Sequence, residues 1–268
     1  MTFLRQYLTA VQLFTRLRIT GALDQWIGLR PDALHGSARH WPGVGWLVGL
    51  VACTVFALLA LALPSGPYAP LVAAVACTIA SAVLTGAVDE VSLSRFVQGA
   101  RRGNVMPDIP LDVAPEAFDG YGALSLVLAL LLKIALLAVL AGQSPTAVLA
   151  ALLAGHVVSR FCPLVLMRGL PYAGDATPVD RKYLGEALDT RSLAIGALWC
   201  IVPLALALLV QPPGLALIGV IAAGMALAAM HKLLARRFKG VDADSVGAAQ
   251  QVCEIAFYLG AAIGLGIA

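Results

Sequence analysis

Charged residues are scarce in this chain, and their scarcity excludes most soluble folds. Only 12% of its 268 residues are charged, whereas 60% are hydrophobic, and the mean hydropathy is +0.88. A soluble domain of this size cannot bury so much apolar surface, and apolar runs of about 18 residues or more are typical of membrane-spanning helices. The sequence therefore predicts an all-α, polytopic membrane protein.

A strong positive charge and paired cysteines are also missing. The formal net charge is only +3, with no basic tail and no interleaving of aromatic and basic residues, so we expect no nucleic-acid partner. All five cysteines lie in apolar segments, and none belongs to a Cys-x-x-Cys pair. This usage indicates neither a disulfide framework nor a zinc site.

Seven apolar segments follow one another and predict a single membrane domain over residues 1–268. They lie near residues 42–63, 69–88, 120–141, 145–168, 193–211, 213–235 and 252–268. Each is expected to be helical because lipid offers the backbone no hydrogen-bond partners. Residues 1–41 precede them as a cytoplasmic and interfacial segment, which begins with an amphipathic helix suited to the membrane surface.

The connections between these segments differ in charge. Residues 64–68, 142–144 and 212 carry no charge, and the other connections hold nearly all of the charged residues. Seven crossings then place every charged connection on one side, which the positive-inside rule assigns to the cytoplasm. We expect a multi-pass protein of the bacterial inner membrane, with its N-terminus and its active face in the cytoplasm. A transporter is less favoured, because it needs polar groups on both faces.

The longest polar stretch lies between the second and third segments. Residues 89–119 are interpreted as a cytoplasmic loop at the expected active site, because acidic side chains and an arginine cluster share this region. Phosphate or metal chemistry is expected there. The acidic residues of the loop include Asp89 and Glu90.

Two cations interrupt the apolar segments. Lys133 lies roughly 20 Å along the third predicted helix, and a charge at this depth often marks function. The alternative is that Lys133 extends to the interface or pairs with a neighbour. Arg160 lies four residues after His156, hence on the same helix face, and suits a phosphate. A helix-packing hydrogen bond explains Arg160 equally well and explains His156 better.

Two later connections carry carboxylates. Asp242, Asp244 and Glu254 lie in or at the end of the connection over residues 236–254. Oxygen ligands in a flexible loop suit Mg²⁺, although such pairs are more often solvated charges. The connection over residues 168–192 includes Asp175, which either contacts a polar substrate or faces solvent.

Several short motifs occur in order along nearly the whole chain. They are FTRL at residues 14–17, ARHWPGVGWLVG from Ala38, TGA from Thr85, YGALSL from Tyr121, LLK ending at Lys133, VSR at residues 158–160, YAGD at residues 172–175, and D-x-x-GAAQQ-x-x-E from Asp244. Their order and spacing resemble the cobalamin synthase family of integral-membrane enzymes, also called adenosylcobinamide-GDP ribazoletransferases.

The resemblance implies a transferase that joins adenosylcobinamide-GDP to α-ribazole or its 5′-phosphate, uses Mg²⁺ and releases GMP. The catalytic residues that it implies are Asp89, Glu90, Lys133 and Arg160. The implied substrate-binding residues are Arg16, Arg39 and Asp175. The implied metal ligands are Asp242, Asp244 and Glu254. The implied partners are the lipid bilayer and the two substrates, and a homo-oligomer or an association with other enzymes of the pathway is compatible with this interpretation.

The chain departs from the acidic pattern of that family, which resembles His-x-Asp-Gly-x-x-Asp-x-x-Asp-Gly. Asp89 stands in place of the histidine, and the three aspartate positions hold Val91, Arg95 and Gln98. The family pattern also includes a later Lys-Asp-Ser. The corresponding residues of this chain, 114–116, are Ala-Pro-Glu. Valine, arginine and glutamine cannot replace carboxylates around a Mg²⁺–pyrophosphate complex.

Two explanations follow from this departure. In the simpler one, the chain folds and inserts but turns over feebly or not at all, acting instead as a corrinoid-binding or scaffolding member of the family. In the other, neighbouring carboxylates such as Asp119, Asp242 and Asp244 replace part of the lost cluster. A small-molecule transporter is the third and least favoured hypothesis.

Overall fold

The computed structural model describes residues 2–27, 36–102, 120–173 and 188–267. Within these ranges the regular structure is helical apart from one isolated bridge between Tyr172 and Val241, so the predicted all-α class is confirmed. The α-helices, in chain order, are α1 Thr2–Phe14, α2 Ala22–Ile27, α3 Trp41–Ala62, α4 Ala69–Thr85, α5 Val88–Arg102, α6 Gly120–Gln143, α7 Pro145–Gly169, α8 Thr190–Val210, α9 Pro213–Leu233 and α10 Ala243–Ile267.

Six of these helices are long and apolar enough to cross a membrane: α3, α6, α7, α8, α9 and α10. The number of crossings is seven when α4, which has 17 residues, and α5, which meets it at 88°, are counted together as one broken span. The prediction of about seven spans is therefore confirmed, with α4 the shortest, and the chain is a multi-pass membrane protein.

The bend between α4 and α5 lies where α4 ends at a glycine, Gly86. Gly86 has φ +75°, and the N–H of Ala87 donates to the carbonyl of Ala82 at 2.7 Å, as in a Schellman motif. The chain then continues directly as α5, which corrects the expectation of a loop over residues 89–119: residues 89–102 are helical, and residues 103–119 lie outside the described part of the chain. The helix forms because α5 buries one face, including Leu93 and Phe96.

The start of α10 corrects a second boundary. The last helix begins at Ala243, nine residues before its predicted start, so Asp244 and Glu254 lie on a helix and not in a flexible connection. Asp242 ends the preceding segment as a capping residue. Its Oδ1 accepts from the N–H of Ser245 at 2.8 Å, and the Ser245 Oγ accepts from the N–H of Asp242 at 2.8 Å. This reciprocal pair satisfies backbone groups that otherwise lack partners at a helix start.

The centre of the bundle is α7, of whose apolar stretch 72% is buried, against 22% for α6 and α8. It packs against α3, α6, α8, α9 and α10. Glycines allow the close approach: a Cβ added at Gly45 of α3 would lie 2.4 Å from the carbonyl oxygen of His156 on α7. Small residues at such crossings let helix backbones approach within a membrane, where packing replaces the hydrophobic effect.

The N-terminal helix docks on the bundle through aromatic rings. Tyr7 stacks on Trp199 of α8 with 5.3 Å between centroids, and Phe3 meets His40 edge-on at 4.6 Å. Phe3 and Leu4 at the start of α1 are nevertheless 54% and 55% exposed. An amphipathic helix with such a face suits the membrane surface, as the sequence predicted.

Candidate functional site

A cluster of buried polar side chains joins α5, α6, α7 and α10. Each member is less than one-tenth exposed, although all except Asp89 lie on helices that cross the membrane. Polar groups in such positions are costly and usually face a site or one another. The members of this cluster are Asp89, Lys133, His156, Ser159, Arg160, Gln250, Glu254 and Tyr258.

Glu254 is the centre of the cluster. The Nζ of Lys133 lies 2.6 Å from its Oε1, and the Tyr258 hydroxyl donates to the same oxygen at 2.9 Å. Gln250 donates through Nε2 to the other oxygen at 2.8 Å, and His156 Nδ1 lies 3.3 Å from Oε1. Gln250, Glu254 and Tyr258 follow one another at four-residue spacing on one face of α10. Three helices thus hold this carboxylate in one orientation.

Arg160 is fixed on its own helix and directed at α5. Its Nη1 donates to the His156 carbonyl at 3.0 Å and lies 3.2 Å from His156 Nδ1. Its Nη2 lies 3.8 Å from Asp89 Oδ2. An N⁺–H···O⁻ bond of good geometry is about 2.8 Å long, so the Asp89 contact is loose. A phosphate oxygen can displace it without disturbing the bonds within α7.

Three buried atoms of this region have no hydrogen-bond partner within the described ranges: Glu90 Oε2, His156 Nε2 and Gln250 Oε1. A buried polar atom without a partner costs about 1–3 kcal/mol. The unpartnered Nε2 of His156 and Oε1 of Gln250 belong to side chains that already touch Glu254 through their other polar atom. These two atoms can therefore still accept or donate a hydrogen bond to a ligand or to water.

The cluster extends inward from the charged end of the bundle. Asp89 lies in the first turn of α5, at the end of the bundle where α4 finishes. Arg160 lies nine residues before the C-terminal end of α7, roughly 14 Å along the helix, and His156 lies one turn deeper. Lys133 is roughly 20 Å along α6. The most accessible cation is thus Arg160, with Lys133 behind it.

Close helix packing sets these positions. A Cβ added at Gly247 of α10 would lie 2.6 Å from the Cβ of Ser92 and 3.4 Å from the Cα of Asp89, so α5 lies directly on α10. A Cβ at Gly155 of α7 would lie 2.4 Å from Tyr258 Cε1. Glycine at both positions lets α5 and α10 carry their polar groups to α7.

The three predicted metal ligands do not form one site. Because α10 is continuous, Glu254 lies roughly 15 Å or more along the helix from Asp242 and Asp244. Asp242 is engaged in capping, and Asp244 is hydrogen-bonded by Ser92 and lies close to Arg95. Among the residues that the structure describes, no three His, Cys, Asp or Glu side chains are grouped so as to hold a metal ion. The described residues therefore do not by themselves supply three grouped ligands for the Mg²⁺ that the resemblance implies.

Arg16 and Arg39, two of the three predicted substrate-binding residues, are not among the members of the cluster. Arg16 is exposed and lies over Gly86 at the outer side of the α4–α5 bend. Arg39 is half-buried and donates through Nε to the Gly36 carbonyl at 2.9 Å. Asp175 lies outside the described residues. Their roles stay predictions.

The carboxylate of Asp189 lies at the start of α8 and has a structural role. Asp189 is its N-cap, and Oδ1 accepts from the N–H of Ser192 at 2.8 Å. The Ser192 hydroxyl, and after it this N–H bond, favour the ionised form and lower the pKa of Asp189 below its usual value. The positive charge of Arg39 acts in the same direction.

Sequence reasoning identified Asp89, Lys133, Arg160 and Glu254, and the structure brings these four together. It missed Gln250 and Tyr258 and interpreted His156 as a packing residue. The four-residue spacing of Gln250, Glu254 and Tyr258 in an apolar segment was the signal that could have found them.

Comparison with known proteins identifies the family of the chain. The model of the cobalamin-5-phosphate synthase family matches residues 6–262. The adenosylcobinamide-GDP ribazoletransferase of Polaromonas naphthalenivorans is 42% identical, over 98% of this chain and 99% of the relative. Proteins of the same name from Polaromonas sp. and Albidiferax ferrireducens are 41% and 40% identical, over 98% of this chain and 98% and 99% of theirs. No solved structure matches. The chain belongs to the cobalamin-5-phosphate synthase family.

Proposed function

We propose that the chain is an adenosylcobinamide-GDP ribazoletransferase, as its relatives are named, and acts at the end of cobalamin biosynthesis. In this reaction a ribose hydroxyl of α-ribazole, or of its 5′-phosphate, attacks the cobinamide-side phosphorus of adenosylcobinamide-GDP. A new P–O bond forms, the pyrophosphate bond breaks, and GMP leaves. The observation that carries the proposal is Arg160, buried and directed at Asp89 from the centre of the bundle.

Arg160 is the proposed phosphate ligand. Phosphoryl transfer needs positioning and stabilisation of charge, because negative charge spreads over the phosphoryl oxygens in the transition state. A guanidinium in a buried site offers both through charge-assisted hydrogen bonds. Its backbone contact to His156 keeps the group in place when the Asp89 contact is exchanged for a phosphate.

Asp89 is the carboxylate placed to accept the proton of the attacking hydroxyl. It is buried beside Arg160, so a phosphate bound there brings the nucleophile close to this carboxylate. Lys133 adds positive potential from deeper in the bundle, although its direct partner is Glu254. Glu254 is thus a positioning residue, which holds Lys133 in place.

Mg²⁺ dependence stays a prediction that the described carboxylates do not support. When bound, Mg²⁺ would neutralise charge on the pyrophosphate. The mechanism proposed above uses no metal step, because Asp242, Asp244 and Glu254 are not grouped. Val91, Arg95 and Gln98 also lack the carboxylates of the family pattern, so we propose that turnover is slow.

A second candidate is a non-catalytic member of the same family, which binds a corrinoid or tethers other enzymes of the pathway. Arg95 favours it, since this cation lies close to Asp244 where an acidic pattern is expected. Binding of adenosylcobinamide-GDP without GMP release distinguishes this candidate from a slow enzyme.

We also propose that the charged end of the bundle, with the cluster opening towards it, faces the cytoplasm of a bacterial cell across the inner membrane. The connections α3–α4, α6–α7 and α8–α9 carry no charge at the other end. The positive-inside rule supports this orientation.

The decisive experiment measures GMP release from adenosylcobinamide-GDP and α-ribazole by the purified protein in lipid nanodiscs. We expect slow release that is lost in Arg160→Ala and kept in Arg236→Ala, which removes an exposed arginine at the end of α9. Binding of adenosylcobinamide-GDP is measured in parallel by calorimetry. Binding without any release would favour the non-catalytic candidate, and the absence of both would overturn the proposal.

A further inference from the structure

A groove lies on the outer surface of the bundle, at the α4–α5 bend. It encloses about 370 Å³. Its apolar wall belongs to α4, where Ile79 and Val83 are 57% and 67% exposed, as expected for side chains that face lipid in a spanning helix. The residues that line it are Arg16, Ile79, Ala82, Val83, Gly86 and Ala87.

Arg16 is the cation of this groove, and the fold fixes its position. The Arg16 N–H donates to the Leu84 carbonyl at 2.8 Å, which attaches the segment after α1 to the end of α4. Its side chain lies over Gly86, where an added Cβ would come within 3.1 Å of Arg16 Cγ and closer still to Nε. Gly86 has φ +75°, so glycine serves both the turn and the arginine.

A second groove of about 610 Å³ continues from Arg16 along the segment between α1 and α2. It includes Arg18, which is exposed, and one carboxylate, Asp24, to which Gln12 donates at 3.3 Å. Arg16 therefore adjoins the apolar wall of α4 at the charged end of this helix, and Arg18 lies in the groove that continues from it. This combination of a cationic head region and an apolar wall matches an amphiphile with an anionic head.

We infer that Arg16 and the exposed face of α4 form a binding site for an anionic phospholipid, with its phosphate on the Arg16 guanidinium and an acyl chain along Ile79 and Val83. Charge complementarity supports this occupant, since arginine binds phosphate oxygens through charge-assisted hydrogen bonds. A soluble phosphate gains nothing from the apolar wall, whereas an acyl chain does. The inference goes beyond the proposed transferase function and does not depend on it.

The site adjoins the start of the buried cluster. Ala87 lines the groove, and Asp89 follows two residues later on α5. A lipid held against Arg16 therefore restrains the bend from which α5 carries Asp89 to Arg160.

Retention of lipid by the purified protein tests the inference. Native mass spectrometry compares phosphatidylglycerol with phosphatidylcholine for the unmodified chain, Arg16→Gln, Arg16→Lys and Arg236→Gln. One basic residue near a membrane surface contributes on the order of 1 kcal/mol, or roughly fivefold in affinity, to the binding of anionic lipid. We expect Arg16→Gln to lose phosphatidylglycerol by about this factor, and Arg16→Lys and Arg236→Gln to lose much less.

The apolar wall and the soluble alternative are tested separately. Val83→Gln, with Leu209→Gln on the exposed face of α8 as its control, should weaken phosphatidylglycerol retention selectively. Equal losses in Arg16→Gln and Arg236→Gln would show general attraction of anions and overturn the site. If Arg16→Gln instead weakened binding of inorganic phosphate or GMP and left lipid retention unchanged, Arg16 would serve a soluble phosphate, and the inference would be wrong.

Discussion

The Nζ of Lys133 lies 2.6 Å from Oε1 of Glu254, and the side chains are 2% and 1% exposed. The pair joins α6 to α10 within the membrane-spanning part of the bundle. A lysine at the centre of a membrane helix costs about 3 kcal/mol on insertion scales, and an opposite charge offsets that cost. Lys133 therefore faces a neighbouring helix inside the bundle and not the surrounding lipid.

Removing one partner of this pair should destabilise the bundle more than removing both. Glu254→Gln leaves Lys133 buried without a counter-charge, and we expect the free energy of unfolding to fall by about 3–5 kcal/mol. Adding Lys133→Met should restore much of that loss, while turnover stays low because the cluster has lost the positive charge of Lys133 and the carboxylate of Glu254. Denaturant unfolding in detergent measures both variants, and a double variant no more stable than Glu254→Gln would contradict this account.

Arg160→Lys should raise KM for adenosylcobinamide-GDP about tenfold or more and leave the fold intact. Lysine keeps the positive charge but loses the planar fork that binds phosphate oxygens and the bond to the His156 carbonyl. Steady-state kinetics and circular dichroism of the variant measure both effects. Arg236→Lys is the matched control, and an unchanged KM in Arg160→Lys would exclude a phosphate contact.

Restoring the acidic pattern should raise turnover and create metal dependence. The variant that carries Asp89→His, Val91→Asp, Arg95→Asp and Gln98→Asp replaces the cation whose charge acts on Asp244 by a carboxylate, and the imidazole introduced by Asp89→His takes over as proton acceptor. Loss of a single metal ligand or its supporting contacts commonly costs 10–100-fold, so we expect at least this gain over the unmodified chain in Mg²⁺.

Chelation of Mg²⁺ distinguishes the restored variant from the unmodified chain. EDTA should abolish the gain in the restored variant and leave the slow GMP release of the unmodified chain unchanged. Strong inhibition of the unmodified chain by EDTA would show that its remaining carboxylates hold a metal after all, with Asp242 and Asp244 the first to test. Failure of the restored variant would leave the altered residues 114–116, or a non-catalytic role, as the explanation.

Gly45→Ala should destabilise the protein by about 1–3 kcal/mol, because the added methyl group meets the His156 carbonyl and the backbone of Val157. Gly142→Ala is the control, since a Cβ there has no neighbour within 4 Å among the described atoms. Thermal unfolding in detergent compares the two variants. Equal midpoints would mean that α3 and α7 do not pack as closely as described.

The orientation of the bundle can be tested with introduced cysteines. Ser65→Cys, at the uncharged end, should react with an impermeant thiol reagent in intact cells, whereas Arg236→Cys should react only after the membrane is opened. The native cysteines give little background, because four of them are buried and Cys53 is half-buried. Reaction of both positions from the same side would disprove seven crossings.

Hydrophobic runs predicted the spans, because a helix that crosses the membrane needs an apolar stretch long enough to cross the hydrocarbon core. This signal lies within one continuous segment of the sequence. Lys133 and Arg160 were identifiable for the same reason, since a charge in such a run is conspicuous. Their partners were not, because Glu254 lies 121 positions after Lys133 and only the packing of α6 on α10 brings them together. Asp89 meets Arg160 through α5, a helix whose polar sequence predicted a loop.

The order of synthesis gives the Lys133–Glu254 pair a consequence for biogenesis. Lys133 enters the membrane with α6, and its counter-charge leaves the ribosome only with the final helix, α10. Until then the nascent bundle carries an unpaired cation, which favours retention at the insertion machinery over release into lipid. A chain truncated before α10 would keep that defect permanently, so quality-control proteases would have a charge-based means of distinguishing it from the complete protein.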